Sequence, residues 1–209
     1  MNWFRKKSWT SEDKIHFFSK LKRAREYNRA QYIRVQAVEL IETNKIELLE
    51  VAESLLIKML TEYPDDKFNR ASAFDSLGDI YKKQNKLEKA ISYYKKALDF
   101  ENEYPSVKTQ SYLSYAELIV KNKMTDKFDV VKTVILERFD TILFPIEKYK
   151  AASILSIIYK KEQLDNLALK YSEIAEQHAN KETSGLRYHS DLGIVTKRLS
   201  WLDKLVKRK

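Results

Sequence analysis

His16, His178 and His189 are the only imidazoles in the chain, and none stands three or four residues from another histidine. A metal site on a helix needs ligands at that spacing, completed by thiolates or carboxylates, and the chain has no cysteine. Gly78, Gly185 and Gly193 stand alone, so there is no glycine-rich loop to cradle a phosphate. Carboxylates are plentiful, but every close pair falls where a solvated helix face would put it. These residues predict no catalysis, no metal and no cofactor. Two groupings remain. Asp75, Asp79 and Lys82 are spaced i, i+4 and i+7, which on a helix puts them on one face. Near the N-terminus, WFRKKSW interleaves aromatic residues with Arg5, Lys6 and Lys7.

Composition frames both. A hydrophobic share of 44% can build a core and a charged share of 33% keeps the surface wet, which excludes disordered and membrane-spanning compositions. Three glycines and three prolines leave little material for tight hairpins, so an all-helical chain is expected. The N-terminus carries charge without the apolar run of a secretory signal, and no window approaches the ~18 apolar residues of a membrane span. A soluble, cytoplasmic protein is the expectation. The net charge of +9 sits at the ends. Residues 1–35 carry ten basic residues against three acidic, a net of +7, and residues 197–209 carry six against Asp203, a net of +5. The remaining 36–196 carry 23 basic and 26 acidic residues, a net of −3, so the total says nothing about the body of the protein.

The basic N-terminal segment invites four readings. On one helical wheel Phe17, Leu21, Ala24 and Val35 form an apolar stripe, flanked by Lys22, Arg25 and Arg29 on one side and Lys20, Arg23 and Arg34 on the other. Such a segment contacts a nucleic-acid backbone or an anionic membrane. The plainer reading, preferred on these residues, is a capping helix docked by its stripe with a solvated basic rim; contact of the rim with acids of the body or of a second copy is the next alternative.

Prolines reveal the organisation. Each follows an aromatic residue, in Tyr63-Pro64, Tyr104-Pro105 and Phe144-Pro145, at intervals of 41 and 40 residues. Proline stops one helix and can begin the next, so a 40-residue beat in a helical chain marks repeated helix pairs. Ala52, Ala90 and Ala168, with Phe128 in the third unit, fall inside the second helix of each pair and let helices approach closely. Gly78 costs about 1 kcal/mol in helix propensity; it is expected to face Ala90 across a hairpin turned at 84–86.

With that beat in place, FDSLGDIYKKQNKLEKAISYYKKAL resembles a tetratricopeptide repeat. Phe74, Leu77, Gly78, Tyr81, Ala90, Tyr94 and Ala97 stand at the family's spacing, while the family's final proline is displaced to Pro105. A second match, AASILSIIYKKEQLDNLALKYSEIA, keeps Leu155, Tyr159, Ala168 and Ala175 but has Ser156 in place of the glycine. The units before Pro64 and over 109–142 match more loosely, and the resemblance spans about 33–180. It implies an all-α, right-handed superhelix of about four helix-turn-helix repeats, with extra helices at both ends. It also implies that Phe74, Tyr81 and Tyr94 are interior, and that a concave face formed by each unit's first helix binds a peptide or helix. The positions so implied are Asp75, Asp79 and Lys82, then Glu117 and Lys121, then Lys150, Ser153 and Ile157. Members that clamp a C-terminal carboxylate use cations where this chain has Asp75 and Asp79, so a partner with basic residues is expected here instead.

The elements expected to position these residues are an opening helix capped by Thr10 with Asp13 three residues on, running toward Glu42 with a break near Tyr27-Asn28. Pairs follow at 29–43/46–62, 67–84/87–101, 106–122/126–141 and 146–161/164–179. A loop over 181–189 leads to a last helix at about 186–206 carrying Leu192, Val195, Leu199, Leu202 and Leu205. The expected organisation is a basic segment over 1–32, a repeat array over 33–180 and a capping helix with a basic tail over 181–209. The expected function is non-catalytic binding of another protein or peptide. Inhibition of a protein toxin in the manner of an immunity protein, adaptor work on nucleic acid or anionic membrane through the basic ends, and a homo-oligomer are the alternatives.

Overall fold

A computed structural model describes residues 3–206, and every regular element among them is helical. The helices are α1 Ser11–Arg23, α2 Glu26–Ile41, α3 Ile46–Glu62, α4 Lys67–Lys83, α5 Leu87–Glu103, α6 Ser111–Lys121, α7 Phe128–Phe139, α8 Pro145–Lys161, α9 Asp165–Ala179 and α10 Ser200–Val206, with a 3-10 turn at Thr125–Lys127 ahead of α7. None is long and apolar enough to cross a membrane. The basic tail, 207–209, and the side chain of Leu205 lie outside the described residues. The chain divides into two compact units, 1–111 and 112–209, so the boundary falls within the span read as one array.

In the first unit α2 packs on α3 and α4 on α5; in the second, α8 packs on α9 and is flanked by α7 and α10. Four turns after α2, α4, α6 and α8 share one backbone device. Asn44, Asn85, Lys123 and Gln163 each adopt a left-handed conformation, with φ of 56°, 57°, 57° and 63°. After α4, α6 and α8 the next residue's N–H reaches back five residues: Lys86 to Tyr81, Met124 to Ile119 and Leu164 to Tyr159, at 2.8–3.1 Å. This Schellman closure satisfies carbonyls that a helix end leaves open. After α2 that bond is replaced by Thr43, whose hydroxyl donates to Leu40 O at 2.7 Å.

The turns fix the register of the repeat. Ala90 and Ala168 each follow their left-handed residue by five, as does Phe128, and all three are buried. The same count in the first pair ends on Leu49, not Ala52; both are buried, so composition alone could not choose between them. Prolines serve in two ways. Pro64 and Pro105 follow the last residues of α3 and α5 after Tyr63 and Tyr104, whereas Pro145 occupies the first turn of α8, where its missing N–H has no helical partner to lose.

The opening helix carries its cap: Thr10 Oγ1 accepts from the Asp13 N–H and Asp13 Oδ2 from the Thr10 N–H, each at 3.1 Å. The break comes at Ala24-Arg25, three residues earlier than expected, where Arg29 donates through Nε to Ala24 O and through Nη2 to Lys22 O. The apolar stripe is therefore shared by two helices. Phe17 and Leu21 are buried on α1, Ala24 ends it, and Val35 sits half-buried on α2.

Two expected helices are shorter. α6 begins at Ser111 instead of 106, because buried Glu101 on α5 accepts the Thr109 N–H at 3.0 Å and also its hydroxyl, holding 104–110 as a strap. The last helix begins at Ser200, not near 186. Gly185 and Gly193 take φ of 81° and 73°, and Gly193 O accepts the Ile146 N–H at 2.8 Å, so this loop caps the start of α8. The Leu/Val spacing over 192–202 is helical, yet Leu192 is 51% exposed and only Leu202 is fully buried. Buried Tyr149 on α8 anchors α10, accepting the Leu199 N–H at 3.2 Å and donating to Asp203 at 3.1 Å.

Candidate ligand-binding groove

Gly78 turns out to face Tyr94, not Ala90. A Cβ placed on Gly78 would meet three Tyr94 ring carbons at 2.5–2.9 Å, so the ring lies directly over the α4 backbone. Tyr94 has no exposed surface, and its hydroxyl donates to Asp79 Oδ1 at 2.6 Å. The glycine thus admits a buried phenol that holds one carboxylate of the candidate site. One turn away, Tyr81 stacks on Tyr93 with centroids 5.2 Å apart and donates to Glu53 Oε1 at 2.6 Å. Phe74, expected inside, is half-buried, its edge on Phe100 at 6.3 Å and the Arg70 guanidinium above it.

Asp75 and Asp79 line a groove of about 490 Å³ between α2, α4 and the strap, all within the first unit. Arg34, Val38 and Ile41 come from α2 and Glu42 from its C-cap, and Ser72, Ser76 and Lys83 from α4; Lys108, Thr109 and Gln110 come from the strap. Asp75 accepts from the Ser111 hydroxyl at 2.5 Å. Burial pushes its carboxyl up to about 6; the Ser111 bond opposes that, Asp79 and Glu101 add to it, and Lys82 lowers it. Arg34 donates to Asn69 Oδ1 at 2.8 Å, and Asn69 donates to Asp66, the cap of α4. Burial draws the Arg34 guanidinium below its ordinary pKa. Lys83 donates to Asn44 in the first turn.

The groove is therefore mixed in charge, not acidic as Asp75 and Asp79 would make it by themselves. Two of its carboxylates are at the centre of α4, a third, Glu42, is paired with Lys7, and its cations arrive from α2, the end of α4 and the strap. Lys82 is exposed and does not line it. In the second unit Glu117 and Lys150 pair with each other at 2.9 Å, Lys121 is exposed and Ser153 is fully buried, so Ser153 presents nothing to a ligand. Ile157 lines a separate hollow of about 550 Å³ with Val120, Phe128 and a lysine rim of Lys123, Lys160 and Lys161. Among the described residues no three His, Asp or Glu side chains gather to hold a metal.

Arg5, Lys6 and Lys7 are occupied within the first unit. Arg5 pairs with Glu39 at 2.8 Å, Lys6 with Asp13 at 3.5 Å and Lys7 with Glu42 at 3.2 Å. Buried Gln36 holds the Lys6 backbone from both sides, accepting its N–H at 3.1 Å and donating to its carbonyl at 2.7 Å. Trp3 packs on Phe17 and Tyr32 with centroids 5.3 and 5.1 Å apart, and Trp9 on Phe17 at 5.4 Å. WFRKKSW is thus docked on α1 and α2. Glu101 is the residue sequence reasoning missed. It sits four after Ala97 and seven after Tyr94, on the buried face of α5, and a carboxylate in that phase is the signal that a partner must be waiting.

No protein-family model matches the chain, and neither a curated protein nor a solved structure does.

Proposed function

We propose that this chain is a tetratricopeptide-like scaffold of helical hairpins that binds a segment of another protein in the α2/α4 groove, without catalysing a reaction. The observation that carries the reading is the pair Asp75 and Asp79, one turn apart in a groove of peptide-side-chain size. Each is held by a hydroxyl of the chain itself, from Ser111 and Tyr94. Those carboxylates are positioned before any ligand arrives, which lowers the ordering cost of binding. A lysine or arginine of the partner would sit against them and neutralise two like charges, while Arg34, Lys83 and Lys108 receive acidic flanks. Such a binding mode would draw its specificity from the sign of each side chain along the segment.

A position-scanned peptide library, read by fluorescence anisotropy, tests this. The expected selection is one central Arg or Lys with acidic neighbours, lost in Asp79→Asn. Selection without a central cation, or selection unchanged in that variant, would refute the groove assignment.

A further inference from the structure

The corner where α1 meets α2 keeps the basic charge that the rest of the N-terminal segment spends internally. Arg5, Lys6 and Lys7 are paired with acids and Arg29 with backbone carbonyls. Lys20, Lys22 and Arg23 have no acid within ion-pair distance among the described residues, and Arg25 reaches only the Tyr27 hydroxyl, at 2.8 Å. Lys20, Arg23 and Arg25 converge with Trp3, Asn28 and Tyr32 around a hollow of about 440 Å³. The Asn28 amide makes no side-chain hydrogen bond among the described residues, leaving its donor and acceptor available. α2 starts here with no side-chain cap, so its first N–H groups add a partial positive charge to the three cations. Tyr27, whose hydroxyl accepts from Arg25 of the hollow, is 70% exposed.

We propose that this corner binds a single-stranded nucleic acid, with Lys20, Arg23 and Arg25 on successive phosphates, Tyr27 as a stacking platform and Asn28 against a base edge. Cations tracking a backbone beside an aromatic face are what sequence-tolerant single-strand binding requires. An anionic membrane fits less well. Of the apolar residues of α1, Phe17 and Leu21 are buried, Phe18 is half-buried against Trp9, and Ile15, at 71% exposure, is the one in the open. An interfacial helix needs a whole apolar face to insert. The corner shares no lining residue with the α2/α4 groove, so the two sites are independent proposals.

The test is anisotropy of a fluorescein-labelled oligouridylate of roughly 12 nucleotides, within the site sizes such surfaces cover. Three phosphate contacts predict that log K falls with log salt with a slope of about −2. Lys20→Ala/Arg23→Ala, at exposed positions and checked for retained helicity by circular dichroism, leaves one contact. It is expected to bind roughly 25-fold more weakly at about 0.1 M salt, with a slope near −0.7. Tyr27→Ala should weaken binding without changing the slope, and Tyr27→Phe should restore it. The proposal is overturned if wild type fails to bind the oligonucleotide at low salt, or if the double variant binds as tightly as wild type. It is equally overturned if a polyglutamate of equal charge competes as well as unlabelled oligouridylate, or if only phosphatidylserine vesicles are bound.

Discussion

The α4/α5 and α8/α9 hairpins are the same object built with different locks. Both turn through a Schellman closure, and both bury an alanine five residues past the left-handed residue. Both stack two tyrosines across the pair, Tyr81 on Tyr93 at 5.2 Å and Tyr159 on Tyr171 at 5.5 Å. They differ where the helices approach. In α4/α5 a glycine, Gly78, lies under the ring of Tyr94. In α8/α9 the corresponding residues are Ser156 and Ser172, and Ser156 Oγ donates to the carbonyl of Ala168 at 2.7 Å. With no ring to accommodate, the first helix can carry a side chain and uses it to bond its partner. The surface changes with the lock: Asp75 and Asp79 on α4 correspond to Ser153 and Ile157 on α8. The hairpin is thus legible in its turn and its small residues, while the surface it presents is decided by the positions that vary.

The largest effect should come from forcing the second lock onto the first hairpin. Gly78→Ala drives a methyl group into a ring that burial and the Asp79 hydrogen bond keep in place. Overpacking of this kind is expected to destabilise by about 2–3 kcal/mol in urea unfolding. In a Tyr94→Ala background the same substitution should instead stabilise by about 1 kcal/mol, the ordinary helix preference for alanine. Equal cost in both backgrounds would mean that Tyr94 is not what the glycine accommodates.

An effect of similar size, but dependent on pH, isolates Asp75 on the first hairpin. Folding raises the Asp75 carboxyl from 3.8 to about 6, so the folded state takes up a proton between those values. The stability Asp75 allows is greatest below its unfolded pKa and is lost as pH rises through 6. Asp75→Asn keeps an acceptor for Ser111 without the charge that burial, Asp79 and Glu101 disfavour. It should be more stable than wild type by about 3 kcal/mol at pH 8, with the difference vanishing near pH 4. A constant difference across that range would place the effect elsewhere. The smallest change is Ser156→Ala, which removes one buried hydrogen bond and should cost about 1 kcal/mol; a cost matching Gly78→Ala would erase the distinction between the hairpins.

Much of this architecture could be read from residue order. The Thr10–Asp13 capping box and the proline beat reflect local rules, and local rules act over a few residues. The hairpin boundaries over 46–62, 67–83, 87–103, 145–161 and 165–179 came within a few residues for the same reason. What escaped depends on contacts across the chain. Leu192, Val195, Leu199 and Leu202 have helical spacing, but Gly193 leaves the helix to pack on Phe144 and cap α8. Ala90 was the nearest small residue to pair with Gly78 in sequence logic, whereas the steric partner is a large ring one turn further on. At the site, Asp75 and Asp79 were legible from their i, i+4 spacing. Arg34, Lys83 and Lys108 were not, since they join the groove only once α2 and the 104–110 strap close around it.

The most direct test of the central claim, that Asp75 and Asp79 form a pre-positioned receptor for a cation, is the pH dependence of binding. The peptide selected by the charge-scanned library would be titrated into wild type and Asp75→Asn from pH 5 to pH 8. A bound cation favours the ionised carboxyl, so wild-type affinity should fall as pH drops through 6, and the Asn variant should bind more weakly with a flat profile. The same fall in both proteins, or a flat profile in wild type, would contradict the account.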